Sequence, residues 1–438
     1  MKKSGSKLRK KLGSKAGIDL SPLKKYPDFR NLWLAGAISY LGSMATFVAL
    51  PFQLKELTHS YIAVGLLGTI EIVPLVIFGL YGGVLADAMD RKKLIWATEA
   101  AALILVTALL VNSLAPHPST IVIYIVAGLF AVVNGLQRPS MGAVLPRLVG
   151  HDDQIAASAL MSLRYQFSYI LGPTLGGIII STFSVSVGYQ FDIATYLFSL
   201  YFLARVRNIP PLGGGEKPSL AALYEGVRYA FSRQDLLATY VIDLAAMFFA
   251  MPNALFPFWA DQLHSRWALG FFYAAGFVGA MIVTLTSKWT TTYTFHGRAV
   301  IWAAIGWGVA IALAGLANSL LIVLICLGLA GASDQISALF RSVIWNQTIP
   351  DNLRGRLAGI EMLSYAIGPL AGQMRAASMA AATSLAFSVT SGGVICVVVV
   401  AILAISMPKF RHYDSETNEF AIRERENRKN LADREKNS

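Results

Sequence analysis

Gly82-Gly83-Val84-Leu85-Ala86-Asp87-Ala88-Met89-Asp90-Arg91-Lys92-Lys93-Leu94 decides the fold. An apolar run leads into this stretch and another leaves it at Leu94, while Asp87, Asp90 and three consecutive cations stand between them. The polar part is too short to be a domain linker. Each flanking run is long enough to cross a bilayer, which takes about 20 helical residues. The stretch therefore reads as a tight turn between two membrane helices, and its excess of Lys and Arg places it on the cytoplasmic side.

Composition agrees. The chain has 438 residues, of which 55% are hydrophobic and only 14% charged. A soluble domain cannot hide that much apolar surface and stay dispersed, so the direct reading is an all-α polytopic membrane protein. The net charge of +12 would suit nucleic acid, but its placement argues against such a partner. Lys2, Lys3, Lys7, Arg9, Lys10, Lys11 and Lys15 crowd the N-terminus ahead of any apolar run. That cluster reads as cytoplasmic retention and contact with anionic lipid headgroups. No short apolar segment with a small-residue cleavage site precedes the first long helix, so no cleaved signal peptide is expected. Cys326 and Cys396 lie inside apolar runs and read as packing residues; no disulfide and no metal site is expected.

Taken in order, the chain divides into a basic tail over 1–30, six apolar helices over 31–206, a linker over 207–235, six more helices over 236–408, and a charged tail over 409–438. Tyr26 to Arg30 reads as a short interfacial segment before a first helix from Leu32 to Leu54. The second helix runs from Ile62 to Ala86 across Pro74, the fourth from Ile121 to Leu148 across Pro139 and Pro146, and the sixth from Gln190 to Arg205. Pro210-Pro211, Gly213-Gly214-Gly215 and Lys217-Pro218 open the linker, and Leu220 to Ser232 reads as an interfacial helix. The seventh helix is expected as one piece from Leu237 to Trp259. The tail after Lys409 lacks an apolar period and reads as a solvated helix or as disordered.

The two sets of six compare as repeats. Leu171-Gly172-Pro173-Thr174-Leu175-Gly176-Gly177 in helix five is echoed by Ile367-Gly368-Pro369-Leu370-Ala371-Gly372 in helix eleven, and Arg138 and Pro146 are echoed by Arg341 and Pro350. Three markers at about one offset predict two pseudo-symmetric six-helix bundles. An even number of spans with basic tails at both ends puts both termini in the cytoplasm, together with Arg91-Lys92-Lys93, Lys288, Arg298, Arg354 and Lys409.

Ionisable residues inside the spans are the functional candidates, because a charge in lipid costs several kcal/mol unless it faces a cavity or a partner. Glu71, Arg138, Asp243, Asp334 and Arg341 are expected to line a central cavity or a proton pathway. Glu71 reads either as a proton carrier or as a packed partner of Arg138. Asp334 and Arg341 stand two helical turns apart on one face and can bridge to neighbours. Arg164, Glu361 and Glu99 lie toward the cytoplasmic third, where long side chains reach the interface, and read as structural. The Gly172, Pro173, Gly176, Gly177 group frees a backbone bond and lets a neighbouring helix come close. Aromatic residues such as Tyr165, Tyr169 and Tyr365, with the arginines, suit an aromatic, partly anionic molecule.

The opening turn resembles the loop between the second and third helices of the major facilitator superfamily, whose pattern is roughly G-x-L-A-D-R-x-G-R-K. Gly83, Leu85, Ala86, Asp87, Arg91 and Lys92 match; Ala88 stands where the family has a cation and Asp90 where it has glycine. The acid before Arg-Lys-Lys is similar to the drug- and siderophore-efflux branch that contains bacterial enterobactin exporters. The resemblance spans about Pro27 to Met407 and implies twelve transmembrane helices in the superfamily fold. It implies that Gly83, Asp87, Arg91, Lys92 and Gly355 form a conformational latch, with Asp87 meeting the start of helix eleven. The Gly-Pro motif of helix five resembles part of an exporter (antiporter) motif, with Ser168 and Ala159 where further glycines are expected.

The expectation is a secondary active exporter of a small amphipathic molecule, siderophore or drug, working by alternating access on a proton gradient without a cofactor. It is expected as a monomer in contact with membrane lipids, multi-pass in a bacterial plasma membrane. No phosphate-binding G-x-x-x-x-G-K-[ST] motif occurs, which disfavours an ATP pump. A lipid flippase or an importer of the same fold is the alternative, ahead of a channel or a membrane enzyme built on His151-Asp152-Asp153.

Overall fold

The computed structural model describes residues 19–210, 228–350 and 353–437; within its helices the side chains at 80, 83, 84, 86, 87, 143, 354–356, 358–363 and 431–437 lie outside the description. The basic cluster over 2–15, the Gly-rich opening of the linker and the Glu361 side chain therefore fall outside the described residues. The long elements are helices, as a chain in lipid requires if its backbone groups are to bond internally. In order they are α1 Pro27–Thr58, α2 Tyr61–Ala88, α3 Arg91–Leu114, α4 Thr120–Leu148, α5 Gln154–Thr182, α6 Val185–Ala204, α7 Gln234–Ala250, α8 Leu269–Leu285, α9 His296–Leu316, α10 Leu320–Thr348, α11 Arg354–Ala382, α12 Leu385–Ser406 and the tail helix α13 Glu419–Asn437. Nine segments among the described residues are long and apolar enough to cross a membrane. Of the first twelve helices, α5, α6 and α11, which carry Arg164, Asp192 and Arg375, lie outside that set.

Local chemistry sets the helix ends. Asp90 accepts a hydrogen bond from the Lys93 amide at 3.1 Å and so caps α3, which gives the acid in the opening turn a structural task. Ser184 caps α6 and Ser384 caps α12 in the same way. Pro27 begins α1, so the stretch expected to be interfacial is the first turn of that helix, with Phe29 fully buried. The sixth helix starts at Val185, earlier than the expected Gln190. The seventh is not continuous. It stops at Ala250, Met251 and Pro252 leave helical geometry, and a short helix Phe256–Gln262 resumes after a single turn. Pro252 has no amide proton to continue the ladder.

Packing repeats at an interval of six helices. In the first half α1 packs on α5 and α6, α2 on α4, and α3 on α4 and α6; in the second, α7 packs on α11 and α12, α8 on α10, and α9 on α10 and α12. The repeated glycines make matching contacts. Gly172 and Gly176 seat α5 on Met44 and Ala45 of α1, and Gly368 and Gly372 seat α11 on Met247 of α7. Two helix pairs, α2 with α11 and α5 with α8, carry most of the packing between the halves.

The tail is docked rather than free. Phe410 and Tyr413 are buried, Tyr413 stacks on His296, and α13 lies along α10, with Arg428 donating to the Asn346 carbonyl at 2.6 Å. Of the expected interfacial helix, 228–232 lies within the described residues and is helical. It leads to Arg233, a buried cation that is paired with Asp235 and stacked on Phe420 at 3.6 Å.

Candidate functional site

Helix direction alternates along the chain, so the turn at Met89 and Asp90, Arg207, Arg233 and the tail share one end of the bundle, and Lys55, Asp261 and Arg266 share the other. At the Lys55 end the halves meet closely. A Cβ on Gly65 of α2 would overlap the side chain of Ala377 on α11, and one on Gly177 of α5 would stand 2.6 Å from the Cα of Gly270 on α8. Lys55 pairs with Asp261, and Arg266 links Asp261 at 2.6 Å to Glu56 at 3.7 Å. Tyr61 packs against Phe258, and Phe47 against Tyr273 at 5.4 Å.

Deeper in the bundle, an aromatic and cationic cluster lies where the halves face each other. Tyr169 of α5 stacks on Phe277 of α8 at 4.5 Å, and Arg138 of α4, an exposed side chain, lies over the Tyr365 ring of α11 at 5.6 Å. Tyr40 of α1 meets Tyr165 and Tyr169 edge-on. The Arg164 guanidinium lies against Tyr40 and Tyr165, 5.8 and 4.6 Å from their ring centres. Arg164 is 1% exposed, so it does not reach the interface as the sequence reading expected.

Inside the first half a polar cavity of about 140 Å³ is lined by Glu71, Glu99 and Asp192 from α2, α3 and α6, with Ser43, Thr46 and Tyr196 among the hydroxyls. Glu99 is buried there and does not reach the interface either. Its Oε1 accepts from Gln137 at 2.8 Å and from Ser39 at 3.4 Å, and its Oε2 accepts from Ser199 at 2.8 Å, so it joins α1, α3, α4 and α6. Asp192, which sequence reasoning missed, is fully buried and accepts from Thr46 and Thr195. Glu71 lines the cavity without pairing with Arg138, which is engaged with Tyr365.

The second half carries an ion triad. Arg341 on α10 pairs with Asp243 on α7 and lies 3.8 Å from Asp334, two turns away on its own helix. Asp243 and Arg341 are buried, Asp334 is 41% exposed, and Ser364 of α11 donates to Asp243 at 3.3 Å. Of the five residues expected at a cavity or proton pathway, the structure thus joins Asp243, Arg341 and Asp334, and places Glu71 and Arg138 apart from them and from each other.

Of the expected latch, Arg91 is buried and its amide donates to the Ile209 carbonyl at 3.0 Å. Gly83, Asp87 and Gly355 are helical positions, but the contact expected between Asp87 and the start of α11 lies outside the described residues. Asp153 of the His151-Asp152-Asp153 turn is engaged by Lys25 at 2.5 Å and by the Tyr26 hydroxyl at 2.8 Å.

A profile of the transmembrane secretion effector family matches residues 18–434, nearly the whole of this architecture. The chain belongs to that family. This member of the major facilitator superfamily is a multi-pass membrane transporter and not an enzyme. It is 27% identical over 400 residues to the enterobactin exporter EntS of Escherichia coli (strain K12), a match covering 90% of this chain and 95% of that one. The fold is similar to that of the nucleoside transporter NupG, with a TM-score of 0.69 at 11% identity over 88% of this chain and 100% of that one. It is also similar to a bacterial homologue of the human lysosomal transporter Spinster, with a TM-score of 0.66 at 14% identity over 90% and 97% of the two chains.

Proposed function

We propose that this chain is a proton-coupled exporter that carries a small amphipathic molecule, of siderophore or drug class, out of the cell by alternating access. In this reading all twelve long helices cross the membrane, 31–206 and 236–408 are two rocking bundles, and both termini and the basic turns face the cytoplasm of a bacterial cell. The observation that carries the reading is the gathering of the closest inter-half contacts, the Gly65 and Gly177 seats and the Lys55–Asp261 pair, at one end of the bundle. With that end outside, the halves are closed outward, which suits a state that loads from the cytoplasm. The likeness to an enterobactin exporter over nearly the full length supports outward transport.

The substrate then sits between the halves against Tyr169, Phe277, Arg138 and Tyr365. Glu71 and the Asp243–Arg341–Asp334 triad are the proton-pathway candidates, and Gly83, Asp87, Arg91, Lys92 and Gly355 the latch. The protein works as a monomer among membrane lipids, with the proton gradient as its energy source and no cofactor. The test is flux in proteoliposomes: the protein should move a catecholate siderophore only under an imposed proton gradient. Equal flux after the gradient is collapsed removes the coupling.

A lipid flippase of the same fold is the second reading, favoured by one feature. An apolar groove of about 670 Å³ runs along α5, α8 and α10, lined by Leu171, Phe271, Val278, Leu324 and Leu329 among others. Transfer of a labelled phospholipid between leaflets, at a rate that the siderophore does not compete with, would decide for it.

A further inference from the structure

Arg164 is the most deeply buried cation among the described residues, and none of them pairs with it. Its Nε, Nη1 and Nη2 lack hydrogen-bond partners, and no described carboxylate forms an ion pair with it. The acid whose charge acts on it is Glu99, whose two oxygens are taken by Ser39, Gln137 and Ser199. What holds the guanidinium instead is shape. A Cβ on Gly36 would overlap Nη1 and stand 2.7 Å from Cζ, so the missing side chain of α1 is the seat, and Tyr165 and Tyr40 cover it. A buried charge without a bonded partner is costly, so its presence at this depth calls for a function.

The same two rings connect Arg164 to the space between the halves. Tyr40 meets Tyr169, which stacks on Phe277 across the interface, and Arg138 stands in that space over Tyr365. In a low-dielectric wall the field of a cation that no described carboxylate bonds directly, with Glu99 acting on it only through space, reaches beyond the rings that cover it. We propose that Arg164, seated on Gly36 behind Tyr40 and Tyr165, makes the tyrosine-lined space between the halves selective for anionic aromatic molecules. Arg138 is the cation that touches the ligand. Arg164 is a positioning residue that orients the two tyrosines and supplies a positive field. The inference rests on the reading that the substrate binds between the halves.

The probes are 2-naphthoate and 2-naphthamide, which share a ring system and differ in charge. Binding is measured by equilibrium dialysis against the full chain in nanodiscs, with empty nanodiscs subtracted. The wild type should prefer the naphthoate by about tenfold, Arg164→Gln should bring the ratio close to one while the amide still binds, and Arg164→Lys should restore most of the preference. A wild type that binds neither compound, or both alike, overturns the proposal. So does an Arg164→Gln protein that keeps the preference or loses both ligands equally, since the latter marks a purely structural role. Transport that fails under a proton gradient while the preference holds would remove the exporter reading and leave this inference standing.

Discussion

Lys55 on α1 forms an ion pair with Asp261, on the short helix that continues α7, and the pair ties the two halves of the chain together at the end opposite the tail. Lys55 is buried and Asp261 only partly so, and Glu56 and Arg266 complete the knot. Removing Lys55 leaves Asp261 with Arg266, so the loss should fall below the roughly 3–5 kcal/mol of a fully orphaned buried charge. Lys55→Met should loosen this end. The readout is a Phe47→Cys reporter, placed where Phe47 packs on Tyr273 from the other half. A membrane-impermeant maleimide should label it faster in the Lys55→Met background, against little signal from the buried Cys326 and Cys396. Unchanged labelling would mean that the knot does not hold the closure.

Gly270 makes a second tie, through backbone rather than charge. A Cβ there would overlap the Pro173 carbonyl and stand 2.7 Å from the Thr174 Cα, atoms that cannot rotate aside. Gly270→Ala should therefore push α8 off α5, at the roughly 1–3 kcal/mol typical of overpacking. The expected results are a lower melting temperature and faster labelling of the Phe47→Cys reporter. Gly142→Ala is the control, because a Cβ at Gly142 meets nothing within 4 Å. Equal effects from the two alanines would show that helix propensity, not the α5–α8 contact, sets the response.

These glycines also show what the sequence made legible. A Gly-Pro-x-x-Gly repeated in two helices already means close helix approach, because a helix with no side chains on one face has nothing else to offer there. The contacts of Gly172 with Met44 and of Gly368 with Met247 follow from that logic, although the partner helices did not. Asp334 and Arg341 could be placed on one face by their spacing, whereas Asp243 could not be assigned to them because pairing across helices depends on packing. Glu99 and Arg164 misled for a related reason. Their nearness to the basic turns suggested a reach to the interface, but height along a helix says nothing of which way a side chain points, and both point inward. Asp192 lies in a Tyr- and Phe-rich helix with little amphipathic contrast, so no period marked its buried face. The break at Pro252 was readable, and the apolar run on either side of it concealed it.

The Asp243–Arg341 pair should behave as a buried ion pair does. Asp243→Asn leaves Arg341 in place with Asp334 at 3.8 Å as its remaining carboxylate, and should destabilise the protein by about 3 kcal/mol or somewhat less. Arg341→Met strands Asp243 more completely, with the Ser364 hydroxyl as its remaining side-chain donor among the described residues, and should cost roughly 3–5 kcal/mol. The double variant Asp243→Asn/Arg341→Met should recover part of the loss, giving a coupling term of about 1–3 kcal/mol in a thermal-unfolding cycle. Additive losses would show that the two residues act independently.

Asp87→Asn tests the latch. A carboxylate near a helix N-terminus gains about 0.3–1 kcal/mol, and the amide forfeits most of that. If Asp87 meets the start of α11, the variant should insert normally yet transport several-fold more slowly. Wild-type flux in this variant would remove the latch role from Asp87.

The start of the chain carries a pH-sensitive clamp. Lys25 and the Tyr26 hydroxyl both bond to Asp153 Oδ2, which pins the helix Ser21–Lys25 to the turn before α5. The Lys25 bond, followed by the Tyr26 bond, holds the Asp153 carboxyl below its ordinary range. The bond to Asp153, followed by that to Tyr26, lifts Lys25 to about 12. The signs are opposite and complementary. A depressed carboxyl contributes stability above its ordinary range and loses it as pH falls through the lowered folded value. A raised amine contributes below its ordinary range and loses it as pH rises through about 12. The clamp should therefore hold across neutral pH and release in acid. A spin label at Ser21→Cys should be immobilised at neutral pH and gain mobility as the pH falls into the acid range, whereas with Asp153→Asn it should already be mobile at neutral pH. Because Lys25 is largely exposed, salt should weaken the clamp in the wild type. A label that is already mobile at neutral pH and low salt would show that the pair does not fasten this helix.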